Sequence, residues 1–268
     1  MGIRLIAADV DGTLTNTASE VSEGNLRAIR LAREQGVFFT IATGRGVAAS
    51  RKLIRLLEID GPVIVFGGAL VIDAKTEEPL LSHALDPALI HEILEYAHQL
   101  HQHAQIYLGD TVYFESETDF SRRYTAFANL PFVVDKDLRK KRFQNVPKVL
   151  VYAEPDVEEE IRRKFTERFS GTAGVSRSQP GYIEINSPRA TKGQALQWIA
   201  ERMGVSREEV AAIGDSYLDI DMMQWAGTGV CVANGVAAAL AAADKVVPDC
   251  GEDGVAYYVE HDVLKARE

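Results

Sequence analysis

The amino-acid sequence predicts an α/β protein: a Rossmann-like parallel-sheet core with an inserted α+β domain. Two observations carry that reading. Short apolar runs alternate with helical patterns from the first residues to about residue 70 and again after Thr191. Between those stretches the alternation is abandoned for strands and helices in mixed order.

The elements follow in order. Ile3 to Ala8 is apolar and stops at an acidic, glycine-containing turn, as a buried parallel strand does at its carboxyl end. A helix is expected from near Ser22, with Leu26, Ile29 and Arg33 on successive turns, ending at Gly36, which suits the left-handed conformation after a helix. Val37 to Ile41 reads as a second strand, Val47 to Leu57 as a second helix and Val63 to Phe66 as a third strand of the same parallel sheet. Ala69 to Leu81 reads as a hairpin turning at Asp73-Ala74-Lys75-Thr76.

The insert opens with Asp86-Pro87, a cap followed by a residue suited to the first helical position. Leu89, Ile90, Ile93, Leu94, Ala97 and Leu100 form that helix's apolar face. Strands are expected around Val112–Phe114, Val149–Val151 and Tyr182–Ile185, with a charged helix from Asp156 to Phe169. After Thr191 come a helix to Gly204, a second helix capped by Ser206 with Glu209 three residues on, and strands at Val210–Ile213 and Val230–Val232. The predicted division is a core of residues 1–81 and 185–268 and an α+β domain of 82–184.

With 29 basic and 39 acidic side chains the net charge is −10, and no basic stripe offers a nucleic acid a surface. Two cysteines, Cys231 and Cys250, are too few for a disulfide framework and lack metal-site spacing. The first apolar run meets Asp9 too soon for a signal peptide, and no stretch is long enough to span a bilayer, so a cytoplasmic location without nucleic-acid or membrane partners is expected.

Ligands of a parallel α/β sheet sit beyond the carboxyl ends of its strands. Asp9 and Asp11 follow the first strand, Thr43-Gly44-Arg45 the second and Gly214-Asp215 a later one, while Lys192 stands at a helix start. Each alone is an ordinary turn or surface residue; their joint placement is the signal. Carboxylates gathered at one edge repel, by about 4 kcal/mol per pair 4 Å apart at an effective dielectric of 20. A hard cation such as magnesium, which takes oxygen ligands and a substrate phosphate, would resolve that repulsion.

Asp9 is then placed to attack phosphorus, and Asp11 to protonate the leaving alcohol and later deprotonate water. Gly12 lets the backbone turn closely about a phosphate, Thr43 and Gly44 offer a hydroxyl and a bare amide, and Lys192 supplies positive charge.

Asp9-Val10-Asp11-Gly12-Thr13-Leu14, Thr43-Gly44, Lys192 and Gly214-Asp215-Ser216 together resemble the signature motifs of the haloacid dehalogenase superfamily of phosphatases. The insert and the run Glu184 to Gly193 are similar to its Cof-type branch, which carries an α+β (type IIB) cap. The resemblance implies Asp9 as nucleophile, Asp11 as acid and base, and magnesium held by Asp9, the Asp11 backbone carbonyl and Asp215. It implies that Thr43, Gly44, the Val10 amide and Lys192 hold the phosphoryl group, with Asp219 an outer support or additional metal ligand.

Two positions depart from the family pattern. Leu218 stands where an asparagine is common, and Gly67 where Asn-Gly-Ala would begin. The expected activity is magnesium-dependent hydrolysis of a small phosphorylated metabolite, a sugar phosphate or phosphorylated cofactor, under a mobile cap. A phosphate-binding protein with little turnover and a phosphotransferase or mutase on the same scaffold are the alternatives. His91, His98, His101 and His103 crowd one region and are read as solvated.

Overall fold

The computed structural model describes residues 2–128 and 130–265. Its elements begin with β1 (Leu5–Ala8), α1 (Glu23–Glu34), β2 (Phe38–Ile41), α2 (Val47–Leu56), β3 (Pro62–Val65), β4 (Leu70–Asp73) and β5 (Pro79–Ser82). Next come α3 (Pro87–Gln99), β6 (His103–Leu108), β7 (Thr111–Phe114), α4 (Asp119–Ala128), β8 (Phe132–Val134), β9 (Lys148–Tyr152), α5 (Glu158–Arg168), β10 (Gly174–Gln179) and β11 (Tyr182–Asn186). Then follow α6 (Lys192–Met203), β12 (Val210–Gly214), α7 (Ile220–Trp225), β13 (Thr228–Val232), α8 (Ala237–Ala242), β14 (Lys245–Val247) and α9 (Gly254–Tyr258), which runs into a π-helical turn, Val259–Leu264. Two compact units result: Met1–Gly44, Ser50–Leu80 and Thr191–Glu268 in one, Arg45–Ala49 and Leu81–Ala190 in the other.

The first unit is built on a parallel five-stranded sheet in the order β14-β13-β12-β1-β2. Every residue of β1 and β12 is buried, which is why both read as unbroken apolar runs rather than alternating ones. Ser22 caps α1 by accepting from the Asn25 amide at 3.0 Å, and Gly204 closes α6 in the left-handed conformation. The sequence order of the strands reverses between β1 and β12. That is the switch point at which such sheets leave a crevice.

The third predicted strand behaves differently from its expectation. Phe66 lies outside β3, and β3 pairs antiparallel with β4 in a separate β3-β4-β5 sheet. The cause is the turn after it: Phe66, Gly67 and Gly68 all have positive φ, sending the chain back along β3 instead of into a crossover helix. One parallel bridge, Ala42 to Ile64, still ties β3 to the end of β2. The hairpin turns as expected, with Asp73 Oδ1 accepting from the Lys75 and Thr76 amides at 2.9 Å. The segment after Ser206 is a short 3₁₀ turn with a capping box rather than a second α-helix.

The second unit has a six-stranded sheet in the order β10-β11-β9-β6-β7-β8. Ile106, Val149, Val151, Ile183 and Ile185 cluster with Ile90, Ile93, Leu94 and Ala97 of α3 and with Ile161 and Phe165 of α5. Strands β6, β8 and β10 and helix α4 had no sequence signal of their own. In β6 the residues alternating with Ile106 are polar yet buried: Gln105 donates to the Tyr107 hydroxyl at 2.8 Å, and that hydroxyl meets Tyr124 at 2.7 Å.

Of the four histidines, His91, His98 and His101 are exposed, but His103 is not. It lies on β6 against the Phe114 and Phe120 rings, with its nitrogens 3.1 Å from Gln105 Oε1 and 3.2 Å from Thr118 Oγ1. Burial pushes its pKa below the ordinary imidazole value. No helix among the described residues is long and apolar enough to cross a membrane.

Asn25 is the polar tie of the first unit. Fully buried, it donates from Nδ2 to the Leu14 carbonyl at 3.3 Å and accepts at Oδ1 from the Ala256 amide at 2.8 Å. Asn25→Ala orphans two buried backbone groups and is expected to lower unfolding free energy by about 2–4 kcal/mol. Urea denaturation checks this; an unchanged midpoint contradicts it.

Candidate functional site

At the crevice, β1 and β12 run side by side with Ala8 level with Ile213, so Asp9 and Asp215 emerge from the same sheet edge. Asp9 is tied down at once, its amide donating to the Ile213 carbonyl at 2.8 Å. The chain then wraps around the Val10 carbonyl, which accepts from the Leu14 and Thr15 amides at 3.1 and 2.9 Å and from the Thr15 hydroxyl at 2.9 Å. Gly12 makes the turn at φ +86°, and a Cβ there would stand 2.9 Å from Asp215 Oδ2. Conformation and space both select glycine.

The carboxylates of Asp9, Asp215 and Asp219 each place an oxygen within 4.8 Å of the others. Lys192, 3% exposed, lies between two of them: Nζ is 2.5 Å from Asp9 Oδ1 and 2.5 Å from Asp219 Oδ1. It reaches them from the first position of α6, held there by the Thr191 cap on the Gln194 amide at 3.2 Å. The second Asp219 oxygen accepts from the Ser216 amide and hydroxyl at 2.9 and 2.7 Å and from the Asp215 amide at 3.2 Å. Both Asp219 oxygens are therefore committed to protein donors. Asp215 instead receives the Thr13 hydroxyl at 2.8 Å.

Burial dominates the titration of this cluster. It holds the Asp9 carboxyl well above its ordinary pKa, opposed by Lys192 and reinforced by Asp219 and Asp215. Asp215 is raised by burial first and by Asp219 second. For Lys192 burial alone would favour the neutral amine, but the Asp219 and Asp9 charges and hydrogen bonds outweigh it and raise its pKa. One ammonium for three carboxylates leaves an excess of negative charge. The donors on offer are all carboxylate oxygens, a hard set that suits magnesium and excludes the soft metals.

The carboxylate trio differs in one member from the set grouped from the sequence. The Asp11 side chain is exposed and Asp219 stands in the trio instead, because the chain has already left the sheet edge by Asp11 and turns at Gly12. Thr43 and Gly44 follow β2, whose Ile41 is level with Ala8, so they belong to the same edge. Thr43 is fully buried and fixed through its backbone, donating to the Ile64 carbonyl at 3.0 Å and accepting from the Gly67 amide at 2.9 Å. Gly68, at φ +95°, lies so close to the Thr191 carbonyl that any Cβ would collide with it.

Thr13 and Ser216 stood in the sequence motifs without a role of their own, and Asp221 went unremarked. Thr13 orients Asp215, Ser216 orients Asp219, and Asp221 Oδ2 accepts from the Gly193 amide at 2.8 Å, steadying the start of α6. Their signal was adjacency: each lies within two residues of a residue already singled out.

Comparison with known proteins places the chain among relatives along nearly its whole length. The model of the haloacid dehalogenase-like hydrolases matches residues 6–259. The 5-amino-6-(5-phospho-D-ribitylamino)uracil phosphatase of Bacillus subtilis is 30% identical over 267 residues, covering 98% of this chain and 96% of that protein. The pyridoxal phosphate phosphatase of Escherichia coli is 26% identical, covering 97% and 98%. A haloacid dehalogenase-like hydrolase from Bacteroides thetaiotaomicron has a crystal structure that matches with a TM-score of 0.86 at 28% identity, over 96% of this chain and 98% of that one.

Removing the ammonium tests the electrostatic account. Lys192→Met leaves Asp9 and Asp219 buried without their shared cation and is expected to cost about 3–5 kcal/mol of stability. Urea denaturation in the presence of a chelator measures it, and an unchanged midpoint would contradict the account.

Proposed function

The chain belongs to the haloacid dehalogenase-like hydrolases and is a phosphatase of their Cof-type branch, and from that premise we propose that it hydrolyses a small phosphorylated metabolite with Asp9 as the nucleophile. The observation that supports this most is Asp9 itself: a buried carboxylate at the switch point of the sheet, held at 2.5 Å by a buried ammonium and facing two further carboxylates.

Lys192 holds one Asp9 oxygen and so orients the carboxylate, leaving the other oxygen for attack on phosphorus. The bond to the leaving alcohol breaks as the Asp9–phosphorus bond forms, giving an aspartyl-phosphate. Asp11, exposed at the loop, gives its proton to the departing oxygen and then takes one from the water that cleaves the intermediate. The Val10 amide, the Thr43 hydroxyl, the Gly44 amide and Lys192 bind the phosphoryl oxygens. Asp9, the Asp11 backbone carbonyl and Asp215 would hold magnesium, whose charge, when bound, offsets that of the phosphate and of the carboxylates.

Asp219 acts in this scheme as support: with one oxygen on Lys192 and the other on the Ser216 and Asp215 amides, it fixes both neighbours. Relatives named for pyridoxal phosphate and for a ribityl phosphate support a small phosphomonoester as substrate.

Phosphate release from p-nitrophenyl phosphate should require magnesium and fall to background in Asp9→Asn. Turnover that survives either the chelator or the substitution would end the proposal. Asp11→Asn should reduce kcat by about 10²–10⁴-fold, with breakdown of the intermediate slowed at least as much as its formation. Unchanged turnover would remove Asp11 from the proton-carrying role.

A further inference from the structure

We infer that Asn234 is a positioning residue, whose side-chain amide fixes the Gly12 peptide and, through it, the register of the Asp9–Thr13 loop against Asp215. The inference rests on the phosphatase reading above and adds to it a residue that touches neither substrate nor metal.

Asn234 lies in the turn two residues beyond β13, the strand next to β12. Its Nδ2 donates to the Gly12 carbonyl at 2.7 Å, and its Oδ1 accepts from the Cys250 amide at 2.9 Å. These two partners settle the orientation of the amide. The reverse orientation would set oxygen against the Gly12 carbonyl and NH₂ against the Cys250 N–H.

The Gly12 carbonyl is the most consequential atom of the loop to hold. It belongs to the residue with the greatest conformational freedom, at φ +86°. Asp11, the proposed proton carrier, precedes it. Thr13, whose hydroxyl orients Asp215 at 2.8 Å, follows it. A rotation of this one peptide would shift both. The same segment also grips the second loop, because the Val236 amide donates to the Asp215 carbonyl at 2.8 Å. Residues 234 and 236 thus hold the two halves of the site from one short stretch of backbone.

Asn234 is exposed, so its substitution removes the clamp without opening a core cavity. Asn234→Asp keeps the size and the acceptor for Cys250 but loses the donor to Gly12; Asn234→Ala loses both without adding charge. Both are expected to lower kcat for p-nitrophenyl phosphate by about 10- to 100-fold, the cost of misplacing catalytic groups by about 1 Å, with KM changed far less. In both, the magnesium concentration that gives half of the metal's thermal stabilisation should rise, because Thr13 no longer holds Asp215 in place.

Ser206→Ala serves as the comparison. It breaks a capping box at the opposite ends of the strands, and should lower the melting temperature while kcat per folded molecule stays at the wild-type value. If both Asn234 variants keep wild-type kcat and magnesium dependence, or lose activity only in proportion to the unfolded fraction, Asn234 is not a positioning residue. If the wild type itself shows no Asp9-dependent turnover, the phosphatase reading fails, and the magnesium titration alone still decides whether Asn234 orders the loop.

Discussion

One ammonium group organises the site. Lys192 Nζ, buried and 2.5 Å from both Asp9 and Asp219, is a charge that the interior would reject without those partners, and they in turn would repel one another without it. Satisfying all three at once requires the end of β1, the start of α6 and the loop after β12 to meet at one point. These segments are separated by 183 positions between Asp9 and Lys192 and by 27 between Lys192 and Asp219. The rest of the first unit can be understood as the framework that makes this meeting possible.

That framework is mostly backbone. The parallel register of β1 and β12 sets Asp9 beside Asp215, the Val10 carbonyl gathers the loop behind it, and the Ser216 and Asp215 amides hold Asp219. Side chains that contact the cluster, such as Thr13, act on orientation. This separation explains how the proposed chemistry tolerates Leu218 in place of an amide: the polar ties of that 3₁₀ turn run through Ser216 and Asp219, not through the Leu218 side chain.

Much of this was legible in the sequence, and for identifiable reasons. A strand buried on both faces has to be apolar throughout, so β1 and β12 announced themselves and the acidic residues ending them stood out. The Ser22 and Asp86 caps and Gly204 marked helix ends through local chemistry that the fold preserves. Local patterns failed where a partner far along the chain decides the outcome. The pairing of β3 with β4 depends on three consecutive positive-φ residues, one of them Phe66, which no propensity foretells. Buried polar residues on β6 hid that strand and turned His103 inward. In the site, the exchange of Asp11 for Asp219 among the clustered carboxylates depends on how the Gly12 turn leaves the sheet, which spacing alone does not specify.

The central claim is that Asp9 carries the phosphoryl group between the two half-reactions. Acid-quenching the enzyme during turnover, reducing with borohydride and sequencing the peptides by mass spectrometry tests it directly, since an aspartyl-phosphate is converted to homoserine at its own position. Homoserine at position 9, absent without substrate, is the expected result. Unmodified Asp9 under turnover, or homoserine at another aspartate, would contradict the account.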